Sequence, residues 1–454
     1  MPYNAGANKP ESAINNQMKD LEEEAKSIFL MMLNRIDPAL LIKERFVVDG
    51  DTLIVDKEAI RLSDYAEVIL IGFGKAGATM GAVVEEKLGN WITRGVLVTN
   101  RRPLVKIKSE IIVAGHPLPD SNSLMAGRKI IDTLRDCGEQ SLIIFLISGG
   151  GSALVESPLF DEISLEDIKE LNRILTGCGA SIREINTVRK HLSKVKGGRL
   201  GFLTKNSKCV AFYISDVNDG DIKSIASNPL LPDDLTLEEF YQVIAKYRLL
   251  ENLPAAISNL AQTNRIPRLP QWSVKDEGRH RNIIIAENGD ALKIVAEIAD
   301  RLGYEVKIDL SIVEGSYQRI ADELIRELNN LRQAHGGRGV CLISGGEVAC
   351  PVSGRGTGGR NQEFVLYTAA RMADSGMEKS VVLSCGTDGI DGNSPAIGAL
   401  LSMDGVRLAR QENINLNSYF QTSDSHAFFL EFGGLVVTGP TGSNVRDIRI
   451  MLTR

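Results

Sequence analysis

The chain has 454 residues, 43% hydrophobic and 24% charged, with a formal net charge of −6. That is ordinary globular composition over a length suited to two or three domains, and it excludes a basic nucleic-acid binder. No apolar run reaches the ~18 residues of a membrane span, and the polar start MPYNAGANKPESAINNQ has no signal-like apolar core.

In chain order, residues 1–17 read as a flexible tail and 18–37 as a helix with Leu21, Ala25, Ile28, Phe29 and Met32 on one face. A buried strand at 66–74 leads into a helix at 76–88. Strands at 94–100 and 110–117 and a helix at 121–137 follow, then the strand 141–150. Ser164 and Asp167 mark a capping box opening the helical stretch 163–181, and 207–216 is another strand. The proline-rich stretch 228–280 suggests a domain boundary near 275. A second α/β run begins at 281–310, continues through a helix at 317–334 and a strand at 338–346, and ends in segments 379–391 and 432–448. The expectation is an α/β protein: two α/β domains, 1–275 (Rossmann-like) and 276–454, with largely parallel or mixed sheets flanked by helices and an interdomain cleft holding the active site.

The pentapeptide Leu-Ile-Ser-Gly-Gly ends two of these apolar runs, at 146–150 and 342–346. Glycine at a strand end lets a ligand approach the backbone, and successive N–H groups there form a concavity for anions. Gly72-Phe73-Gly74-Lys75-Ala76-Gly77 joins a strand to a helix, where an anion can meet a helix N-terminus and lysine adds a mobile cation. It also fits G-x-G-x-x-G, so a nicotinamide reductase stays open. Ser148-Gly149-Gly150-Gly151-Ser152 reads as a phosphate or carboxylate nest. The run 186–199, with Asn186, Lys190 and Lys196, reads as an electrostatic clamp or else as a solvated helix face. Clustered acids at 215–221 and 386–392 suit Mg²⁺, with Asp216, Asp388 and Asp391 as candidate ligands. Glu347, the arginine- and glycine-rich run 353–363, and Thr441 and Asn444 in the last loop complete the candidate anion sites. Anion donors, acidic clusters, Lys and Arg are the parts of phosphoryl transfer. No nucleophile triad or metal-spaced histidine pair stands out, and the six cysteines, without a C-x-x-C, read as reduced and cytosolic.

The strings GKAGATM (74–80), AGHPLPDSNS (114–123), LISGGGSAL (146–154), INTVRKHLSKVKGGRL (185–200), ISDV (214–217), LISGGE (342–347), GRGTGGRNQEF (354–364), GTDGIDG (386–392) and TGPTGSNVRDI (438–448) together resemble the glycerate 2-kinase family, whose C-terminal portion is called the MOFRL domain. They span from about residue 20 to the end. The resemblance implies ATP-dependent, Mg²⁺-assisted phosphorylation of D-glycerate at its 2-hydroxyl, giving 2-phosphoglycerate and ADP in a cytoplasmic enzyme. The essential lysine falls on Lys75 and the essential arginine on Arg360. Gly74, the 148–152 nest, Asn186, Lys190, Lys196, Glu347, Thr441 and Asn444 become substrate or phosphate contacts, and Arg360 with the nest would take the glycerate carboxylate. Partners are small molecules, with no nucleic acid or membrane, and there is room for a homodimer. Some members carry the older label hydroxypyruvate reductase, so that activity stays a rival, beside a kinase for a related 2-hydroxy acid and a non-catalytic sensor. One departure is Ala226-Ser227-Asn228-Pro229, where Ala-Ser-Gly-Pro is expected. Another is the acidic loop 218–221, which reads Asn-Asp-Gly-Asp.

Overall fold

The computed structural model describes residues 10–103, 105–217, 220–272, 279–311, 314–336 and 338–454, with side chains from residue 20 onward. The chain divides into two compact units, Pro38–Ala286 and Glu287–Arg454, the second joined by the first helix, Pro10–Arg35.

In the first unit, β1 (Phe46–Asp49), β2 (Thr52–Val55) and β3 (Glu58–Arg61) form a small antiparallel sheet. The main sheet holds β4 (Glu67–Phe73), β5 (Ile92–Thr99), β6 (Glu110–Val113), β7 (Ser141–Ile147), β8 (Lys208–Ile214) and β9 (His280–Ala286). Its order is β6-β5-β4-β7-β8-β9, and every neighbouring pair is parallel. β7 is buried at every position, as expected of a strand covered on both faces. The chain runs outward from β4 through β5 to β6, then returns to lay β7 on the other side of β4. This is a topological switch point, and ligands in open α/β sheets sit at the carboxyl ends of the strands that flank one. The loops after β4 and β7 are Gly74–Gly77 and Ser148–Ser152.

In the second unit, β10 (Glu305–Asp309), β12 (Val340–Gly345), β14 (Ser380–Gly386), β15 (Gly398–Ser402), β16 (Leu435–Val436) and β17 (Asp447–Thr453) form a mixed sheet, and β11 (Glu314–Ser316) pairs with β13 (Glu347–Ala349). The order is β10-β12-β17-β14-β15-β16. β17 lies between β12 and β14, antiparallel to both, with Gly345 opposite Ile448 and Gly386 opposite Asp447. Its amino end therefore meets the carboxyl ends of its two neighbours, gathering the loops 346–359, 387–392 and 438–446 at one edge.

Several sequence expectations are corrected. The 275/276 boundary lies outside the described residues, and the units part between Ala286 and Glu287. Strand 280–286 completes the first sheet by pairing in parallel with β8, its main-chain groups satisfying that strand's open edge. The first helix begins at Pro10, inside the expected tail. Its buried stripe Leu21, Ala25, Ile28, Phe29 and Met32, with Ile36 just past its end, belongs with the second unit. The stretch 163–181 ends as a helix at Gly177, and a second capping box, Ser181 with Glu184, starts the helix Ile182–His191. The last strand, β17, was not foreseen. All six cysteines are free, and no helix among the described residues is long and apolar enough to cross a membrane.

Candidate active site

At the switch point the two loops are latched together. Ser148 N donates to Phe73 O (3.1 Å), Lys75 N to Gly149 O (2.9 Å) and Ala76 N to Ser148 Oγ (2.9 Å). Gly74 has φ +113, and a Cβ there would collide with Ser148, so only glycine permits the approach. Two expectations change. Ser148, expected as a substrate contact, is 2% exposed and its hydroxyl serves as a structural latch for Ala76 N. The amides of Lys75 and Ala76 serve the neighbouring loop instead of presenting themselves to an anion.

The amides that stay open are in the second loop. Gly149, Gly150, Gly151 and Ser152 donate from the backbone to no group among the described residues. Gly150 is left-handed (φ +84), giving the alternation of backbone conformation that turns successive N–H groups inward. Lys75 and His116 flank this nest: from the point where a Cβ on Gly150 would stand, Lys75 Cγ is 3.5 Å away and the His116 ring 3.0 Å. The Asp216 carboxylate lies against the α-carbon of Gly149. A carboxylate beside an anion nest is repulsive unless a cation joins the two. Mg²⁺ binds few protein carboxylates and completes its shell with phosphate oxygens and water, so Asp216 fits such an ion.

The basic segment resolves into fixed pairs. Lys190 bonds Asp233 at 2.8 Å with both side chains buried, and donates to Lys223 O. Burial would raise the Asp233 carboxyl, but Lys190 and the Asn228 amide hold it below its ordinary value. Lys196 pairs with Glu156 in a buried bridge, where burial pulls its ammonium below its usual range. Both lysines, expected as ligand contacts, are thus already neutralised. Asn186 accepts from Ser227 Oγ (3.1 Å), which meets Ser152 Oγ at 2.7 Å. This polar chain steadies the nest.

In the second unit, Arg360 opens the helix Arg360–Asp374. Its Nε and Nη2 clasp Asp447 (2.6 and 3.0 Å), and Nη2 also meets Glu347 at 3.0 Å. Burial pushes the Glu347 carboxyl up, against the pull of Arg360. Arg360 is therefore held in place by two acids, and its clasped face cannot also take a substrate carboxylate. Arg449, fully buried, donates to Gly345 O (2.6 Å) and Gly346 O (2.8 Å), so it ties down the second Ser-Gly-Gly end. Burial lowers this guanidinium to about 10.

Asp391 is corrected as a metal ligand. It is 1% exposed, and its oxygens accept from the backbone N–H groups of Asn361 and Gln362 and from both side-chain amides, capping the helix that carries Arg360. Asp388 accepts from Ile390 N (3.2 Å) through one oxygen, and remains compatible with a cation. No cluster of three or more His, Cys, Asp or Glu that could hold a metal occurs among the described residues. Thr441 and Asn444 shape their own loop: Thr441 Oγ1 donates to Thr387 O (2.6 Å), and Asn444 Oδ1 accepts from Arg446 N (3.0 Å).

The residues that sequence reasoning missed are Asp447, Arg446 and Arg449. Their signal was Asp-Ile-Arg-Ile-Met-Leu-Thr (447–453), in which Asp447 and Arg449 stand two apart between apolar residues, the period of a strand.

Two family models match: a domain of unknown function (DUF4147) over residues 24–262 and the MOFRL family over 340–447. A glycerate 2-kinase of Pyrococcus horikoshii is 31% identical over 95% of this chain and 97% of its own. A D-glycerate 2-kinase of Thermotoga maritima is 35% identical over 87% and 93%. The crystal structure of a glycerate kinase from Thermotoga maritima superposes with a TM-score of 0.82 at 30% identity, covering 96% of this chain and 100% of that one. By sequence along nearly its whole length and by fold, the chain belongs to the glycerate 2-kinase family.

Proposed function

We propose that the protein transfers the γ-phosphoryl group of ATP to the 2-hydroxyl of D-glycerate, forming 2-phosphoglycerate and ADP. The observation that carries this reading is the open nest Gly149–Ser152 at the switch point, with the Lys75 side chain beside it. Open backbone N–H groups with a lysine side chain beside them are suited to the charge that develops on a transferring phosphoryl group. The glycerate 2-oxygen bonds to the γ-phosphorus as the bond to the β–γ bridging oxygen breaks, the electron pair leaves on ADP, and the hydroxyl proton passes to solvent. A loose transition state asks little of a base, so positioning and charge compensation dominate. Asp216 would hold Mg²⁺, with Asp388 a second candidate; the ion, when bound, neutralises phosphate charge. Arg360, held by Asp447 and Glu347, is the second catalytic residue of this reading. The free cysteines suit a reducing compartment, which points to the cytosol.

Lys75→Ala tests this directly. Removing one transition-state donor costs about 10²–10³ in kcat, while the melting temperature should stay near that of the wild type because the latch uses the Lys75 backbone. A Lys75→Ala enzyme of wild-type rate would refute the role. The reductase alternative predicts NADH consumption with hydroxypyruvate. It is disfavoured because the Gly72–Gly77 loop commits two amides to Ser148 and Gly149.

A further inference from the structure

The first unit contains a cavity of about 160 Å³ that shares Gly150, Ser152 and His116 with the nest. Its lining is partly apolar, including Ile163, Ile168 and Leu171, and partly charged, with Arg189, Glu156 and Lys196. Their charges do not cancel. Glu156 is saturated: besides Lys196, it accepts from Ser193 Oγ (2.6 Å) and Ser157 N (2.9 Å). Arg189 donates from Nε to the neutral amide oxygen of Asn172 (2.6 Å) and forms no ion pair among the described residues. With two cations to one carboxylate, the pocket keeps a net positive charge at Arg189, beside apolar side chains where an anion interacts more strongly than it would in water.

The space is small. Pockets for drug-sized ligands run to ~300–1,000 Å³, and a whole nucleoside triphosphate would not fit here, whereas a three-carbon acid would. A planar guanidinium matches a carboxylate through two parallel hydrogen bonds. We propose that Arg189 is the carboxylate anchor of the hydroxy-acid substrate, which lies in this cavity with its 2-hydroxyl toward Gly150 and Lys75. The assignment rests on the phosphotransfer reading above and replaces Arg360 as the carboxylate partner.

The test uses the full-length enzyme with Mg²⁺, measuring the KM for D-glycerate and for ATP in wild type, Arg189→Gln and Arg189→Lys. Losing a charge-assisted pair should raise the glycerate KM about 30- to 100-fold in Arg189→Gln, with the ATP KM within about twofold of wild type. Arg189→Lys, which keeps the charge but not the fork, should fall between. If Arg189→Gln does not fold, Arg189→Lys decides: an unchanged glycerate KM overturns the anchor. A rise confined to the ATP KM would overturn it too and place a phosphate at this arginine. A second readout needs no turnover. D-glycerate, but not glycerol, should raise the melting temperature of the wild type, and Arg189→Lys should weaken that shift. If the wild type makes no phosphoglycerate, the phosphotransfer reading fails alone, and the melting shift still judges the anchor; an equal shift in variant and wild type overturns it.

Discussion

Asn228 shows how a departure in sequence can be a match in physics. The family pattern leads one to expect glycine there, and the residue sits at φ +54, in the left-handed region that glycine favours and asparagine tolerates better than other side chains. Ala226 and Ser227 before it share that conformation (φ +50 and +60), an uncommon run for residues with a Cβ. The strain has a purpose at this point: Ala226 packs on Gly151, and Ser227 bonds Ser152, so the segment braces the nest. The Asn228 side chain also bonds Leu231 N and O and the Asp233 carboxylate (2.9, 3.0 and 2.6 Å). Asn228→Gly would relax the backbone but lose all three bonds. We expect a net loss of about 1–2 kcal/mol, read as a lower midpoint in urea unfolding. A midpoint at or above the wild-type value would mean that the amide contributes nothing. Sequence alone identified the lysines of 186–199 as cations. It could not identify Asp233 and Glu156 as their partners, because those contacts form only on folding.

At the scale of elements, strand and helix periodicity was legible wherever an apolar run had one clear face. β4 and β7 and the buried stripe of the first helix are examples. What was not legible was sheet membership. β9 looks like the start of a new α/β run, but only the open edge beside β8 decides where it pairs. The seam between helices Ile182–His191 and Leu237–Lys246 gives a pH prediction. Glu184 bonds Lys246, caps its own helix at Ser181, and accepts from Tyr247. The hydrogen bond from Lys246, followed by those from Ser181, lowers its carboxyl from 4.5 to about 2. A folded-state value below the unfolded one stabilises the fold above the unfolded value, and that stability is lost as pH falls through the folded one. The melting temperature should therefore drop between about pH 4.5 and 2, and less steeply in Glu184→Gln. Parallel pH profiles for the two proteins would contradict this.

At the scale of the molecule, the glycine-rich loops at strand ends were readable in the sequence, whereas the partition of the chain was not. A helix at the far amino end that belongs with the carboxyl-terminal unit carries no local mark of that fact. Its stripe predicts burial but not the partner. Phe29, fully buried, gives the test: Phe29→Ala removes core volume worth about 3–5 kcal/mol. Hydrogen exchange should quicken in β14 and β17 of that unit and much less in β4 and β7, and the reverse pattern would refute the partition. One incubation tests the phosphotransfer chemistry most directly. With ATP, Mg²⁺ and D-glycerate, phosphorus NMR should show ADP and 2-phosphoglycerate forming together. Finding 3-phosphoglycerate, or no phosphorylated acid at all, would contradict the account.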